Sequence, residues 1–234
     1  MADEERATQT VVLVPYLGHI HRECELGLRR LEQLGYRVWR SGGNAAIDAA
    51  RSQLATDALR DGYRWLLWID SDIGFDPADV ERLAGHGRPM VAGIYAKKGR
   101  REMACEIAAG VDRLVLGEGG GLVEAAYIGM GFVWSAREVY ESIVDRSVLP
   151  VCNEQFGRPL VPFFQPMVAA DDAGRPWYLA EDYAFCRRAR GAGYALWVDT
   201  SIRLRHFGDY GYTWEDAGTA KLEYLTYEYE IRRT

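Results

Sequence analysis

The chain has 234 residues, and 28 Lys and Arg against 34 Asp and Glu leave a formal net charge of −6 with 48% apolar residues. That balance excludes a disordered, collagen-like or repetitive chain, allows a buried core with a cleft, and argues against nonspecific binding of nucleic acid through its phosphates. The longest unbroken apolar stretch, within Trp65 to Ile69, is far shorter than the ~20 residues of a membrane-spanning helix, and the polar, acidic start from Met1 to Gln9 is unlike a secretory leader, so a cytoplasmic protein is expected.

Thr10-Val-Val-Leu-Val-Pro15 is an apolar, β-branched run that stops at a proline, which predicts a buried strand ending at a loop. Leu26, Leu28, Leu31 and Leu34 recur near helical spacing before Gly35, and Tyr36 to Trp39 predicts a second strand. Asn44 is placed to cap a helix carrying Ile47, Ala50, Leu54 and Ala58, which ends near Gly62. Trp65-Leu-Leu-Trp-Ile69 is apolar throughout, as in a strand covered on both faces. With a helix opened by Pro77 and carrying Val80 and Leu83 on one face, the chain up to Pro89 reads as β-α-β-α-β-α, a doubly wound parallel sheet.

Pro89 to Ile94 predicts a further strand, and after Lys97 the regularity fades. Gly117 to Gly121 predicts a hairpin turn; Glu124 to Ile128 runs into Gly129-Met-Gly131-Phe-Val-Trp134, followed by a helix from Ser135. Pro150 to Pro176, rich in proline, aspartate and aromatic residues, is expected as an irregular, substrate-covering loop. A helix from Glu181 to Ala192, a strand from Ala195 to Val198 and the segment Arg203-Leu-Arg-His206 follow. Cys24, Cys105, Cys152 and Cys186 form neither a zinc-type pair nor a dense disulfide framework, which predicts free thiols.

Three features carry chemistry. Asp70-Ser71-Asp72 stands at the C-terminal end of the third strand, the edge at which open α/β sheets bind ligands, and two hard oxygen donors there can hold Mg²⁺ or Mn²⁺ beside a diphosphate. The same residues can instead cap the helix at Pro77 or bond their own turn. Asp182 of Glu181-Asp182 shares a helix face with Phe185, Cys186 and Ala189, so it points inward, where it can act as a general base; capping of the helix by either acid is the competing account. His206 can supply a third metal ligand or be an ordinary packed histidine.

In this order the Asp70-Ser71-Asp72, Glu181-Asp182 and His206 features resemble glycosyltransferases of the GT-A fold, particularly the family 2-like enzymes, over roughly residues 10–208. The resemblance implies an α/β fold, a GT-A-type Rossmann-like mixed sheet flanked by helices, as one domain over residues 1–234. Residues 1–98 would bind a nucleoside-diphosphate sugar, UDP- or GDP-linked, and residues 99–234 the hydroxyl-bearing acceptor. It makes Asp72 the main metal ligand, Asp70 its partner or a ribose and sugar contact, His206 a third ligand and Asp182 the base.

Other positions fit this frame. Asn44, Asp48 and Arg51 are spaced to share a helix face on which Asp48 accepts from a base or ribose and Arg51 neutralises a phosphate, or on which the two simply form a surface ion pair. Pro15 stands where family members contact the nucleoside through backbone, and Gly129 and Gly131 match small residues that permit close approach of a sugar, or form a bulge. The segment Tyr16-Leu-Gly-His-Ile-His21 departs from the family's spacing of small and acidic residues, and His19 and His21 are expected to face solvent.

Two other classes compete. Aspartate-nucleophile phosphatases also follow an apolar strand with two spaced aspartates, but near the start of the chain rather than on a third strand. A non-catalytic nucleotide- or sugar-binding module would bind donor without turnover. Sugar nucleotidyltransferases share the fold but carry a glycine-rich, basic loop after the first strand, absent between Pro15 and Arg22.

Overall fold

A computed structural model describes the chain except for residues 1, 172, 209, 219–225 and 231–234. The elements are α1 (Ala2–Thr8), β1 (Thr10–Tyr16), α2 (Arg22–Gln33), β2 (Arg37–Gly42), α3 (Ile47–Arg60), β3 (Trp65–Ile69), β4 (Ile73–Gly74), α4 (Pro77–Gly85) and β5 (Met90–Gly93). They continue with β6 (Cys105–Ile107), β7 (Arg113–Gly117), β8 (Leu122–Ile128), β9 (Phe132–Ala136), α5 (Arg137–Ser147), β10 (Met167–Ala170), β11 (Pro176–Leu179) and α6 (Glu181–Gly191). The last are β12 (Leu196–Asp199), β13 (Arg205–Phe207), β14 (Gly211–Tyr212) and β15 (Thr226–Glu230). Among the described residues no helix is long and apolar enough to cross a membrane.

An eight-stranded mixed sheet in the order β2-β1-β3-β9-β5-β12-β8-β6 is flanked by helices, a Rossmann-like arrangement. Strands point successive side chains to opposite faces, and both sets are apolar here. Val11, Leu13, Leu66 and Trp68 join a core with α3, α5 and α6, whereas Val12, Val14, Leu67 and Ile69 join a second core with α2 and α4. Fully burying each such aliphatic side chain contributes about 1.5–3 kcal/mol, which is why continuous apolar runs become central strands. The indole of Trp68 donates to the Tyr140 hydroxyl at 2.7 Å, and Tyr140 meets Ser135 Oγ at 2.9 Å, so these three buried polar groups are paired.

Several expectations are corrected. The first strand does not stop at Pro15: the residue is buried inside β1, in register with Ser41, because beyond Leu13 the strand pairs only with β2 and a missing N–H is tolerated at such an edge. The parallel run is interrupted, since β9 inserts antiparallel between β3 and β5. The glycines after β7 make no hairpin: β7 pairs with β15, while β8 enters the main sheet. The segment after Pro150 is only partly irregular, because β10 and β11 form a hairpin whose Trp177 packs edge-on against Tyr127 at 5.1 Å.

Candidate active site

β3 ends at Ile69, and the chain turns at once through Asp70-Ser71-Asp72 into β4. The turn is fixed by backbone bonds: Ile73 N–H donates to the Asp70 carbonyl at 3.0 Å, His21 N–H to the Ser71 carbonyl at 2.7 Å, and Phe207 N–H to the Asp72 carbonyl at 2.8 Å. The last bond joins the turn to β13, in which His206 stands opposite Ile73 of β4. A short strand late in sequence thereby brings an imidazole to the acids of β3.

The two carboxylates face different surroundings. Asp70 Oδ1 accepts from Arg51 Nη2 at 2.7 Å, and Arg51 is only 3% exposed. Its guanidinium lies over the Trp68 ring, 5.6 Å from the centroid, and Nε is 3.8 Å from Glu181 Oε1. Burial works against the charge of Arg51, yet Asp70 and Glu181 outweigh it and raise its pKa. Arg51 Nε and Nη1 have no hydrogen-bond partner among the described residues, so the two acids are its main compensation. Asp72 instead accepts from Lys98 Nζ at 2.5 Å through Oδ2, and its Oδ1 lies 3.6 Å from His206 Nε2.

Asp182 stands in the first turn of α6, whose buried face carries Phe185, Cys186 and Ala189. Ala180 is the N-cap residue, and neither acid caps it; Asp182 Oδ1 accepts from the adjacent Tyr183 N–H at 2.7 Å. Burial, with the Glu181 carboxylate beside it, pushes the Asp182 carboxyl up to about 6, against the pull of that hydrogen bond and of Arg51. Asp70 also raises it, so the two acids sense each other. A carboxyl poised there gives up and accepts protons near neutral pH, the requirement for a general base.

Tyr95, absent from the sequence reading, ties the parts together. Its hydroxyl accepts from Gly131 N–H at 3.0 Å, and its ring meets His206 edge-on at 5.1 Å. A Cβ on Gly129 or Gly131 would come within 2.5 Å of that hydroxyl. Both glycines are buried, so what they admit is Tyr95 rather than a sugar, and the Gly131 carbonyl accepts from Asp70 N–H at 2.9 Å. The glycines position the acid.

The nucleotide face expected on α3 does not form as expected. Asn44 lies before the helix and its Oδ1 accepts from Ala46 N–H at 3.0 Å; Ala46 is the N-cap. Asp48 stays partly exposed in the first turn, while Arg51 turns inward to Asp70 instead of pairing with Asp48 or reaching toward a phosphate, because residues 50–52 all fall on the buried side. His19 is exposed, and half-buried His21 also caps α2, accepting from Glu23 N–H at 3.3 Å, and stacks on Phe207 at 3.9 Å. Lys98 had one sequence signal, the basic run of Lys97, Lys98, Arg100 and Arg101, separated by three residues from the end of β5.

Among the described residues no group of three or more His, Cys, Asp or Glu side chains is placed to hold a metal ion. The expected trio of Asp70, Asp72 and His206 is therefore not assembled, since Arg51 draws Asp70 away. A smaller donor pair fits. His206 Nδ1 lies 2.9 Å from the Ala96 carbonyl, an acceptor that assigns the proton to Nδ1 and leaves the Nε2 lone pair free beside Asp72. Imidazole and carboxylate in that relation suit a divalent cation that keeps water or phosphate in its other positions. Cavities of about 410 and about 300 Å³ lie elsewhere and are lined by none of these residues; the candidate site lies at the sheet edge.

No protein-family model and no curated protein matches the chain. Solved structures do resemble it. A UDP-glucose pyrophosphorylase mutant from Leishmania major has a TM-score of 0.40 at 10% identity, covering 79% of this chain and 61% of that one. A glycosyltransferase involved in the glycosylation of the major capsid of PBCV-1 has a TM-score of 0.34 at 13% identity, covering 56% and 62%. A197 from STIV has a TM-score of 0.53 at 18% identity, covering 86% of each chain. The likeness to A197 is close enough to show a shared fold over most of both chains.

Proposed function

We propose that this protein is a glycosyltransferase that moves a glycosyl unit from a nucleoside-diphosphate sugar, UDP- or GDP-linked, to a hydroxyl acceptor. Residues 1–98 contribute the donor side and residues 99–234 the acceptor side. One observation carries the reading: the C-terminal edge of β3 gathers Asp72 beside a free imidazole nitrogen at one end and the raised carboxyl of Asp182 near the Asp70–Arg51 pair at the other. That is a leaving-group end and a base end on one sheet edge.

Asp72 and His206 would hold Mn²⁺ or Mg²⁺, whose positive charge, when bound, offsets the charge that develops on a departing diphosphate. Every other part belongs to the chain. Arg51 holds and orients the Asp70 carboxylate, Tyr95 and Gly131 fix the Asp70 backbone, and Ser71 anchors the start of α2 through His21. Asp182 accepts the proton of the acceptor hydroxyl while its oxygen bonds to the anomeric carbon. The bond from that carbon to the diphosphate oxygen breaks, and the nucleoside diphosphate leaves with the electron pair. Direct displacement of this kind inverts the anomeric centre.

Asp182→Asn tests the reading. Donor binding stays within about twofold of the wild type while turnover falls by about 10²-fold, the scale of a lost general base. A variant that retains full turnover returns Asp182 to a structural role. The phosphatase alternative needs Asp70 as a free nucleophile, whereas that carboxylate is held by Arg51.

A further inference from the structure

The cation that meets Asp72 here is part of the chain. Lys98 Nζ donates to Asp72 Oδ2 at 2.5 Å, and the lysine stem lies along Gly208, where an added Cβ would come within 3.0 Å of Lys98 Cδ. Lys98 follows β5 in a basic run whose Lys97 is taken by Glu102 at 3.0 Å. Across the ion pair the side chains are 37% and 32% exposed, against 3% and 28% for Arg51 and Asp70, so it is the cation that differs in burial. A hydrated ammonium on a flexible stem exchanges partners at small cost, and an exposed pair of this kind is worth little in itself. The donor pair of Asp72 and His206 cannot serve a divalent cation while the ammonium sits on Asp72, because the two cations would share one carboxylate and repel each other.

We propose that Lys98 is the resting counter-ion of Asp72 and, once displaced, a ligand of the donor's diphosphate. With a divalent cation held by Asp72 and His206, the Lys98 ammonium would be freed from Asp72 and available to the donor's diphosphate. The chain thereby keeps Asp72 neutralised before the donor arrives and supplies a further positive charge to the leaving group afterwards. The inference rests on the nucleotide-sugar reading above and gives Lys98 two roles of opposite consequence. Removing its charge strengthens binding of the metal, by ending a competition, and weakens binding of the nucleotide, by deleting a contact.

The test uses the full chain as wild type, Lys98→Met, which keeps the stem, and Lys98→Arg, which keeps the charge, with melting curves to establish folding and Lys98→Gln in reserve. Calorimetry measures Mn²⁺ alone, then UDP and GDP at saturating Mn²⁺. Lys98→Met binds Mn²⁺ about 3- to 10-fold more tightly and nucleoside diphosphate about 3- to 10-fold more weakly, while Lys98→Arg stays near the wild type. Unchanged or weaker Mn²⁺ binding in Lys98→Met, or unchanged nucleotide binding, overturns the role of Lys98 and leaves the proposed function standing. A wild type that binds neither nucleotide, with or without Mn²⁺, overturns both.

Discussion

The inner and outer ends of the site pair similarly exposed carboxylates with cations of very different burial. Inside, Arg51 at 3% exposure bridges Asp70 and approaches Glu181, and it has no water to fall back on. Outside, Lys98 meets Asp72 at a surface from which it can part, while His206 is held in place by the Ala96 carbonyl and the Tyr95 ring. Burial makes the inner pair permanent and the outer pair exchangeable. A removed charge should therefore cost stability inside and change ligand binding outside, and the predictions below set out to break that contrast.

The largest effect belongs to Arg51. Arg51→Met leaves Asp70 and Glu181 facing Asp182 without their common cation, and because those acids are 28% and 19% exposed the cost falls below that of a fully buried pair, at about 1–3 kcal/mol. Urea unfolding of the variant measures it, and a loss under about 1 kcal/mol would show the inner cluster to be as loosely held as the rim. Asp72→Ala, by contrast, keeps the melting temperature within a few degrees and loses at least 10²-fold in turnover, on the scale of a lost metal contribution. Normal turnover in that variant would remove Asp72 from the chemistry.

Next comes pH. A base must be ionised, and the Asp182 carboxyl is pushed up to about 6, so turnover should fall about tenfold per unit of pH below that value in the wild type. The slowed Asp182→Asn enzyme should lack this step, and a wild-type profile flat from pH 5 to 8 would contradict the assignment.

The smallest effect is on stability. With its folded value above the ordinary 3.8, Asp182 contributes stability that is fully present below about pH 4 and lost as pH rises through about 6. Asp182→Asn avoids that loss and keeps an oxygen for the Tyr183 amide. It should exceed the wild type by roughly 1–2 kcal/mol at pH 8 and match it below pH 4, a discounted figure because the side chain is partly exposed. A destabilised variant at pH 8 would mean that the ionised carboxyl is needed for packing.

What could be read in advance follows from the range of the interactions. The strands at Thr10, Trp65 and Leu196 and the helices at Ile47, Pro77 and Glu181 are written in local periodicity, and they stand within a few residues of expectation. The inward face of Asp182 was legible for the same reason: Phe185, Cys186 and Ala189 lie one to two turns away on the same helix. The insertion of β9 between β3 and β5 was not legible, because Gly129 to Gly131 reads locally as a continuation of β8 while pairing partners come from distant segments. Arg51 illustrates the same limit. Its spacing from Asp48 is a valid surface pattern, and only the closing of α3 over β3 buries it against Asp70.

The sequence by itself determined which segments are apolar on both faces, where carboxylates follow a central strand, and which acid of α6 turns inward, since each depends on residues within a turn or a strand of one another. The tertiary structure alone decided how the charges pair. Arg51 with Asp70, Lys98 and His206 with Asp72, and Tyr95 under both glycines are contacts between residues 19 to 134 positions apart. Electrostatic partners are set by distance and burial in space, and no periodicity along a chain records either.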